Sequence, residues 1–351
     1  MKQWEFIDAM NDPAFIVKKG IVVKANVPAL QRNIEPDTPV AMYICTGSQD
    51  YESFSDGKLS LGLCINTIHY GACVTCVDDC HLFCLDSDRI MPELQAFSLA
   101  AQHLREPLSR AMNGAELLLT DLGENDAAKE KLARLNKNLY RLLRVISNMS
   151  DAALYQSQQS QNQEFCNISA IAQEIFEKSA DLAEKANRKL EYKLPSESIF
   201  SLADRQKLER CILNMLSNAW KHSPSESTVL AELKQVDNRI YFTIENALSQ
   251  DFPNNPFVRY LREPGIACSE NGIGLGMAII QAVAVSHGGT VLIEQTKNNT
   301  VKITLTISLR CSSSLQLCSP VLYPIDYTGG MDKALLELCD ILPDCLFADK
   351  T

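Results

Sequence analysis

The sequence lacks a long apolar run. Its longest candidate, MAIIQAVAVSHGG over 277–289, is interrupted at Gln281 and ends in two glycines, so it falls short of the roughly 18 apolar residues of a membrane span. The first residues, MKQWEFIDAMNDP, also lack the apolar core of a secretory signal. We therefore expect no membrane span and a cytosolic protein.

Basic residues are fewer than acidic ones. The chain has 33 Lys and Arg against 43 Asp and Glu, a net charge of −10. Nucleic acid or an anionic membrane would require a basic face, so we expect neither as a main partner. The 351 residues are 46% hydrophobic and 22% charged, which is typical of a globular chain of two or three domains with real cores.

The cysteines do not predict a disulfide framework, because the 13 thiols are odd in number and lie within apparent strands. Four of them, Cys73, Cys76, Cys80 and Cys84, have spacings that resemble a metal site. The alternative is a hairpin that turns at Asp78-Asp79. It would place Cys76 on the face opposite the other three thiols, which makes four converging ligands difficult. We favour the hairpin and keep the metal site as the alternative.

Residues 1–90 consist of short β-rich runs and turns. FIVKKGIVVKAN reads as a hairpin joined at Lys19-Gly20, and strands continue through KLSLGLCINTIHYGACVTCVDDCHLFCLD. With NDPAFIVKKGIVVKANVPA near the start, this order resembles a PAS sensory domain.

Residues 91–160 carry two heptad series separated by the polar stretch GENDAAKE. The apolar positions of the two series are Phe97, Ala101, Leu104, Leu108, Ala111, Ala115 and Leu118, then Leu132, Leu135, Leu139, Leu142, Ile146, Met149 and Ala153. This predicts a helical hairpin with one seam per helix. Pairing with a second copy would complete a four-helix bundle, so we expect a homodimer. The alternative is a monomeric hairpin packed on its own neighbours.

Residues 161–310 predict an α/β domain. Two amphipathic helices, ISAIAQEIFEKSADLAEKAN and DRQKLERCILNMLSNAWKHS, are followed by a hairpin that turns at Asp237-Asn238. Another apolar helix and a closing hairpin around Asn298-Asn299 complete it. The tail 311–351 contains the turn DYTGG and a short amphipathic helix, MDKALLELCDIL, to which we assign docking or capping.

The stretch NMLSNAWKHS contains the first candidate site. Asn214 and Asn218 are four residues apart, so they share a helix face and their amide oxygens could approach one hard cation such as Mg²⁺. Lys221 lies within a turn of Asn218 and can meet a phosphate as a point charge. The spacing alone arises by chance in many helices.

The stretch NGIGLGMAII contains the second candidate site. Gly272, Gly274 and Gly276 precede an apolar helix, where glycine lets backbone N–H groups approach phosphate oxygens near a helix N-terminus. By itself the pattern also fits a plain loop, and it is not the G-x-G-x-x-G dinucleotide fingerprint.

Taken together and in this order, these stretches resemble the ATP-binding domain of sensor histidine kinases, a GHKL (Bergerat) α/β sandwich. NMLSNAWKHS looks like the N-box, GIGLGMAII like the glycine-rich lid, and FVRYLR at 257–262 like the aromatic-basic segment between them. The resemblance covers about residues 91–310. It implies an α+β multidomain protein with a PAS-like domain at 1–90, a dimerisation and phosphotransfer hairpin at 91–160, an ATP-binding domain at 161–310 and a tail at 311–351.

The resemblance also implies function. ATP and Mg²⁺ would lie between the helix of Asn214 and Asn218 and the glycine segment, with Asn218 as the expected Mg²⁺ ligand and Asn214 as a second, catalytic one. Lys221 would neutralise phosphate. ATP would phosphorylate a histidine on the first hairpin helix, and the phosphoryl group would pass to a response-regulator protein.

The acceptor motif departs from the family pattern. In AAQHLREPL, Pro107 aligns with the proline of the family's motif, whose histidine stands five residues earlier. That acceptor position holds Gln102 here, and His103 takes the place of the acidic residue that follows the family's histidine. His103 is our candidate phosphoacceptor, with Glu106 one turn further on as a substitute carboxylate. The alternative for His103 is a solvated helix histidine. The family's adenine-binding Asp aligns with Asn246, a weaker neutral acceptor, and two glycine positions hold Leu248 and Gln250.

These departures keep a second class of function open: a nucleotide-binding pseudokinase scaffold, or a response-regulator phosphatase that forms no phosphohistidine. A GHKL ATPase outside signalling is disfavoured, because heptad helices lie directly before the ATP-binding domain.

Overall fold

The computed structural model of the protein describes residues 4–85, 90–121, 126–156, 163–249, 275–296, 299–310 and 332–348. Several predicted features lie outside this description: the positions Gly272, Gly274, Gln250 and Asn298, the segment 257–262, the turn DYTGG at 326–330, and the side chains of Phe97, Gln102 and Ala153.

The N-terminal part is an antiparallel sheet with short helices. Its strands are β1 (Ala14–Lys18), β2 (Ile21–Ala25), β3 (Ile44–Thr46), β4 (Lys58–Ile65), β5 (Ile68–Val77) and β6 (Cys80–Leu85). They run in the order β2-β1-β6-β5-β4, and β3 also pairs with β4. The helices are α1 (Val27–Leu30) and α2 (Ser48–Ser53). The predicted turn at Lys19-Gly20 is confirmed, since both residues have positive φ as a tight hairpin requires. The PAS assignment stays a prediction.

The cysteine hairpin is confirmed in its register. Cys73 faces Cys84, and Val77 faces Cys80 across a turn at Asp78-Asp79. Since side chains alternate along a strand, Cys76 lies on the opposite face from the other three thiols. Among the described residues no group of three or more His, Cys, Asp and Glu side chains is arranged to hold a metal ion.

Two long helices follow, α3 (Ile90–Asp121) and α4 (Asp126–Gln156), and they pack along each other. The seam positions that are buried in the single chain are Ala101, Leu108 and Ala115 on α3 with Leu132 and Ile146 on α4, and Leu139 and Met149 on α4 are half-buried. The seam positions Leu104, Ala111, Leu118, Leu135 and Leu142 are exposed in the single chain, and the pairing with a second copy stays a prediction. Met112, Ala133 and Leu143 are buried although they lie off the predicted seam. Met112 and Leu143 join the cluster of Ala101, Leu108 and Ile146, and α4 also packs against a helix of the following domain. In the part of the chain that is described, no helix is both long and apolar enough to cross a bilayer.

The third part is the predicted α/β sandwich. Its strands are β7 (Glu164–Asn167), β8 (Lys189–Lys193), β9 (Phe200–Ala203), β10 (Thr228–Val236), β11 (Arg239–Ala247), β12 (Val291–Gln295) and β13 (Thr300–Ser308). The helices α5 (Ile168–Lys185), α6 (Arg205–His222) and α7 (Leu275–Ser286) pack on the sheet β12-β13-β11-β10-β8. The inward faces of the strands form the core, with Ile240, Phe242 and Ile244 on one face as predicted.

An unpredicted feature is that the two sheets are continuous. β4 pairs antiparallel with β12, so that Ser60 faces Val291 and Lys58 faces Ile293. Asp50 on α2 supports this junction, because its carboxylate accepts a hydrogen bond from Thr290 Oγ1 at 2.7 Å and pairs with Arg239 at 2.9 Å. The first domain therefore contacts the third through backbone pairing. The domain boundaries drawn from sequence stay predictions.

The C-terminal part docks on the body of the protein, as expected for a capping tail. It forms α8 (Lys333–Leu338) and a 3₁₀ turn at Asp344–Phe347, which pack on α4, α5 and α6. Asp332 caps α8 by accepting hydrogen bonds from the N–H groups of Ala334 and Leu335.

Candidate functional site

The helix α6 carries most of the candidate site, and its start is held firmly. Asp204 is the N-cap and accepts a hydrogen bond from the N–H of Lys207 at 3.1 Å. His287, buried just after α7, accepts a hydrogen bond from the N–H of Asp204 through Nε2 at 3.0 Å. Its Nδ1 lies 2.8 Å from the carbonyl oxygen of Val283. The end of α7 is thus tied to the start of α6.

Gly276, near the start of α7, lies directly against the two asparagines of α6. A β-carbon added to Gly276 would be 3.1 Å from Oδ1 of Asn214 and 3.5 Å from Nδ2 of Asn218. Only a residue without a side chain fits this approach without displacing its neighbours. Three of the residues predicted for one site therefore come together, from stretches of sequence about 60 positions apart.

The carboxamide of Asn214 has an oxygen without a partner. Its side chain is fully buried, and Nδ2 donates to the carbonyl oxygen of Arg210 at 3.0 Å, which fixes the amide orientation. Oδ1 is buried with no hydrogen-bond partner. An unpaired buried acceptor costs about 1–3 kcal/mol, so this oxygen is suited to a donor or cation that enters beside Gly276.

Lys221, in the last turn of α6, is paired with the C-terminal tail. Its ammonium group forms a close ion pair with the carboxylate of Asp340, in the C-terminal tail. Burial, together with the nearby charge of Arg144, lowers the pKa of Lys221 despite this pairing. In this arrangement Asp340 of the tail pairs with the ammonium group that was predicted to neutralise a nucleotide phosphate.

Asn246 lies on β11, where it is buried and faces Val301 of β13. Its Nδ2 donates to the carbonyl oxygen of Ala247 at 2.8 Å, which leaves Oδ1 as the acceptor that an adenine would use. Leu248 is part of the domain core, and its N–H donates to the carbonyl oxygen of Asn299 at 3.0 Å. Leucine at this position fills core space where the family has glycine.

His103 is exposed on α3. The buried face of α3 contains Ala101 and Leu108, and His103 lies about 200° around the helix from Ala101, at roughly 100° per residue. The imidazole therefore projects from the side of α3 turned away from α4. The structure does not bring His103 to the site at Asn214 and Gly276, because α4 rather than α3 packs on α7.

Sequence reasoning missed a buried charge cluster beside the site. Glu337 of α8 is fully buried between Arg144 of α4, with Nε–Oε2 at 3.0 Å, and Arg210 of α6, with Nε–Oε1 at 3.3 Å. Arg144 also donates to Oγ of Ser217, which lies on α6 between the two asparagines. The only local signal was an acidic residue within the apolar helix ALLELCDIL, because Arg144 and Arg210 are more than 120 residues from Glu337 and leave no pattern along the chain.

Comparison with known proteins identifies the α/β part. Residues 203–310 match the family described as "Histidine kinase-, DNA gyrase B-, and HSP90-like ATPase". The matched range includes Asn214, Asn218, Lys221, Asn246 and Gly276.

Relatives extend the similarity beyond this range. Hybrid signal transduction histidine kinase D of Dictyostelium discoideum is 27% identical over 61% of this chain and 15% of its own length. Sensor histidine kinase CusS of Escherichia coli O6:H1 is 27% identical over 55% of this chain and 41% of its own. This chain thus spans less than half the length of either. The solved structure of full-length ShkA in complex with AMPPNP has a TM-score of 0.49 and 18% identity, over 63% of this chain and 47% of that one.

Proposed function

We propose that this chain, a relative of sensor histidine kinases with an ATP-binding domain of that type, is a dimeric kinase that phosphorylates His103 with Mg-ATP and passes the phosphoryl group to a response regulator. The observation that carries the proposal is the convergence of Asn214, Asn218 and Gly276 on one point of the ATPase domain.

The residues present fit a magnesium-bound nucleotide. Mg²⁺ takes oxygen ligands and keeps several waters while bridging to phosphate, and the orphan Oδ1 of Asn214 supplies such an oxygen. Asn218 is half-buried one turn further along and supplies a second. The start of α7 beside Gly276 adds unpaired backbone N–H groups and positive potential. When bound, Mg-ATP supplies the γ-phosphoryl group for transfer.

The protein's own residues position the reaction. Asn246 would accept a hydrogen bond from the adenine amino group through Oδ1, and Asn214 and Asn218 would hold the Mg²⁺ that accompanies the nucleotide. Lys221 meets phosphate charge once it leaves Asp340. His103 is the nucleophile, and its exposure on α3 leaves the imidazole open to an approaching ATP-binding domain. Phosphoryl transfer depends mainly on positioning and charge stabilisation.

The heptad positions that are exposed in the single chain support the homodimer. Leu104, Ala111 and Leu118 on α3 lie seven residues apart and face outward, as do Leu135 and Leu142 on α4. Two apolar stripes at this spacing fit the core of a four-helix bundle formed with a second copy.

The test of this proposal uses radiolabelled ATP. We expect an acid-labile, base-stable label on the wild-type chain, none on His103→Gln, and none on Asn218→Ala. Asn218→Ala should also weaken binding of Mg-AMPPNP by about tenfold or more, because a metal ligand is lost. His103→Gln should bind it normally. Label that survives in His103→Gln would show that another residue is the acceptor.

A second function is favoured by Gln102 at the family's acceptor position and by the neutral Asn246: a nucleotide-binding scaffold without phosphohistidine. Normal binding of Mg-AMPPNP together with no label on the wild-type chain would select it.

A further inference from the structure

The C-terminal segment 332–348 lies across two domains. Its α8 contacts α4 of the helical hairpin and α6 of the ATP-binding domain, and its 3₁₀ turn packs on α4. Leu335, Leu336 and Leu338 are buried, and Leu336 packs with Leu143 and Ile146 of α4. The phenyl ring of Phe347 meets the ring of Tyr140 edge to face. The segment is therefore a docked element with its own apolar contacts.

Charge pairs fasten the segment to both domains. Glu337 holds Arg144 of the hairpin and Arg210 of the ATP-binding domain with its two oxygens. Asp344 pairs with Lys137 at 2.9 Å and with Arg134 at 3.4 Å, both on α4. A buried carboxylate between arginines of two domains favours the arrangement in which the domains stay together, because separation would leave unpaired charges.

Asp340 connects this segment to the candidate nucleotide site. It pairs with Lys221, with Arg144 at 2.6 Å and with Arg141 at 3.3 Å. Although burial opposes it, the charges of Arg144 and Lys221 hold the pKa of Asp340 below its ordinary value, so the carboxylate is ionised. Within the described part of the chain, Glu337 and Asp340 thus pair with four cations, namely Arg141, Arg144, Arg210 and Lys221.

This arrangement keeps the site away from the candidate acceptor. The hairpin helix that touches the ATP-binding domain is α4, whereas His103 projects from the far side of α3. Transfer to this imidazole from the same chain requires the domain to leave α4. The segment 332–348 contacts both sides of that boundary and adds to the direct packing of α7 on α4.

We propose that residues 332–348 form an autoinhibitory clamp, in which Asp340 competes with nucleotide phosphate for Lys221 while Glu337 holds the ATP-binding domain on α4. This clamp rests on the proposed function, because the ligand that competes with Asp340 is the bound nucleotide. Binding of Mg-nucleotide and release of the segment are then reciprocally linked, each favouring the other by the same factor.

The experiment measures Mg-AMPPNP binding by calorimetry on the full chain and amide hydrogen exchange over 334–340. We expect Asp340→Asn to bind about threefold to tenfold more tightly than wild type, because Lys221 is freed from its competitor. Asp344→Asn is the matched control: it makes the same charge change in the same segment without touching Lys221, so it should raise affinity less than Asp340→Asn does. Saturating Mg-AMPPNP should accelerate exchange at 334–340 in the wild type.

The outcomes separate the two proposals. Equal affinities for wild type and Asp340→Asn, with unchanged exchange at 334–340 on nucleotide binding, would overturn the clamp and leave the nucleotide site in place. Tight binding by Asp340→Asn with weak binding by wild type would support the clamp. No binding by any variant at millimolar nucleotide would overturn the proposed function and with it the competition for Lys221. Circular dichroism on Asp340→Asn checks that the variant is folded.

Discussion

The imidazole of His287 accepts a hydrogen bond from the N–H of Asp204, the residue that caps the helix of the two site asparagines. The pair joins the end of α7 to the start of α6, about ten residues along each helix from Gly276 and Asn214. Because Nε2 is the acceptor, His287 must be neutral at this nitrogen to make the contact.

Folding stability should therefore depend on pH through His287. Burial lowers its pKa below the ordinary 6.5, with Lys207 and Arg310 acting in the same direction while the contact with Val283 and the charge of Asp204 oppose it. The unfolded chain then binds a proton at a higher pH than the folded one. Stability is full above about pH 6.5 and falls by up to about 1.4 kcal/mol per pH unit below it. Urea unfolding of wild type and His287→Gln between pH 5 and 8 measures this. Parallel pH profiles for the two proteins would contradict it.

Gly276→Ala should weaken nucleotide binding. Its β-carbon would lie 3.1 Å from Oδ1 of Asn214, so the carboxamide must move by a few tenths of an ångström, and Nδ2 is already held by Arg210. We expect about a threefold to tenfold loss of Mg-AMPPNP affinity, because small misplacements of binding groups are costly. Gly114→Ala is the control. It has open space around it in α3, and should leave affinity unchanged while stabilising the helix by about 0.5–1 kcal/mol.

Gly57→Ala should loosen the junction of the two sheets. Gly57 has φ +89°, and a β-carbon there would be 2.5 Å from the carbonyl oxygen of Ile293 on β12. The strained backbone alone costs about 1–3 kcal/mol, and the contact adds to this cost. We expect faster hydrogen exchange of the amides of β12 while those of β11 stay protected. Unchanged protection at 291–293 would mean that the pairing of β4 with β12 does not depend on the close contact of Gly57 with Ile293.

Glu337→Gln should be strongly destabilising. The variant leaves Arg144 and Arg210 buried without their shared carboxylate, and breaking one side of a buried charge cluster typically costs about 3–5 kcal/mol. Asp344→Asn removes an exposed pair with Arg134 and a half-buried pair with Lys137, and it should cost less, about 1 kcal/mol. Chemical denaturation of the two variants compares them. A loss below 1 kcal/mol for Glu337→Gln would show that water reaches the arginines.

Leu142→Glu should disrupt the proposed dimer. Leu142 is exposed in the single chain, seven residues from Leu135 on the stripe assigned to the partner copy. Leu117→Glu is the control, since Leu117 is equally apolar and exposed but lies off the heptad positions. Sedimentation equilibrium should show a monomer for the first variant and a dimer for wild type and the second. A monomeric wild type would contradict the proposed dimer.

Local patterns along the chain predicted most elements correctly. The strand alternation around Asp78-Asp79 and the turn at Lys19-Gly20 match the structure, because two-residue hairpins depend on nearby residues alone. The helix of Asn214 and Asn218 follows equally from its cap and its apolar period. The heptad spacing of α3 and α4 can be read from the sequence. Which of these positions the single chain buries depends on what packs beside α4.

The sequence by itself thus determined the helices, the hairpins and the two chemically distinctive stretches, since each depends on periodicity and turn chemistry within a few residues. Tertiary structure alone decided that Gly276 meets Asn214, that β4 joins β12, and that Asp340 holds Lys221. These contacts join residues more than 60 positions apart. Their partners are chosen by packing and by the need to pair buried charge, and neither leaves a pattern along the chain.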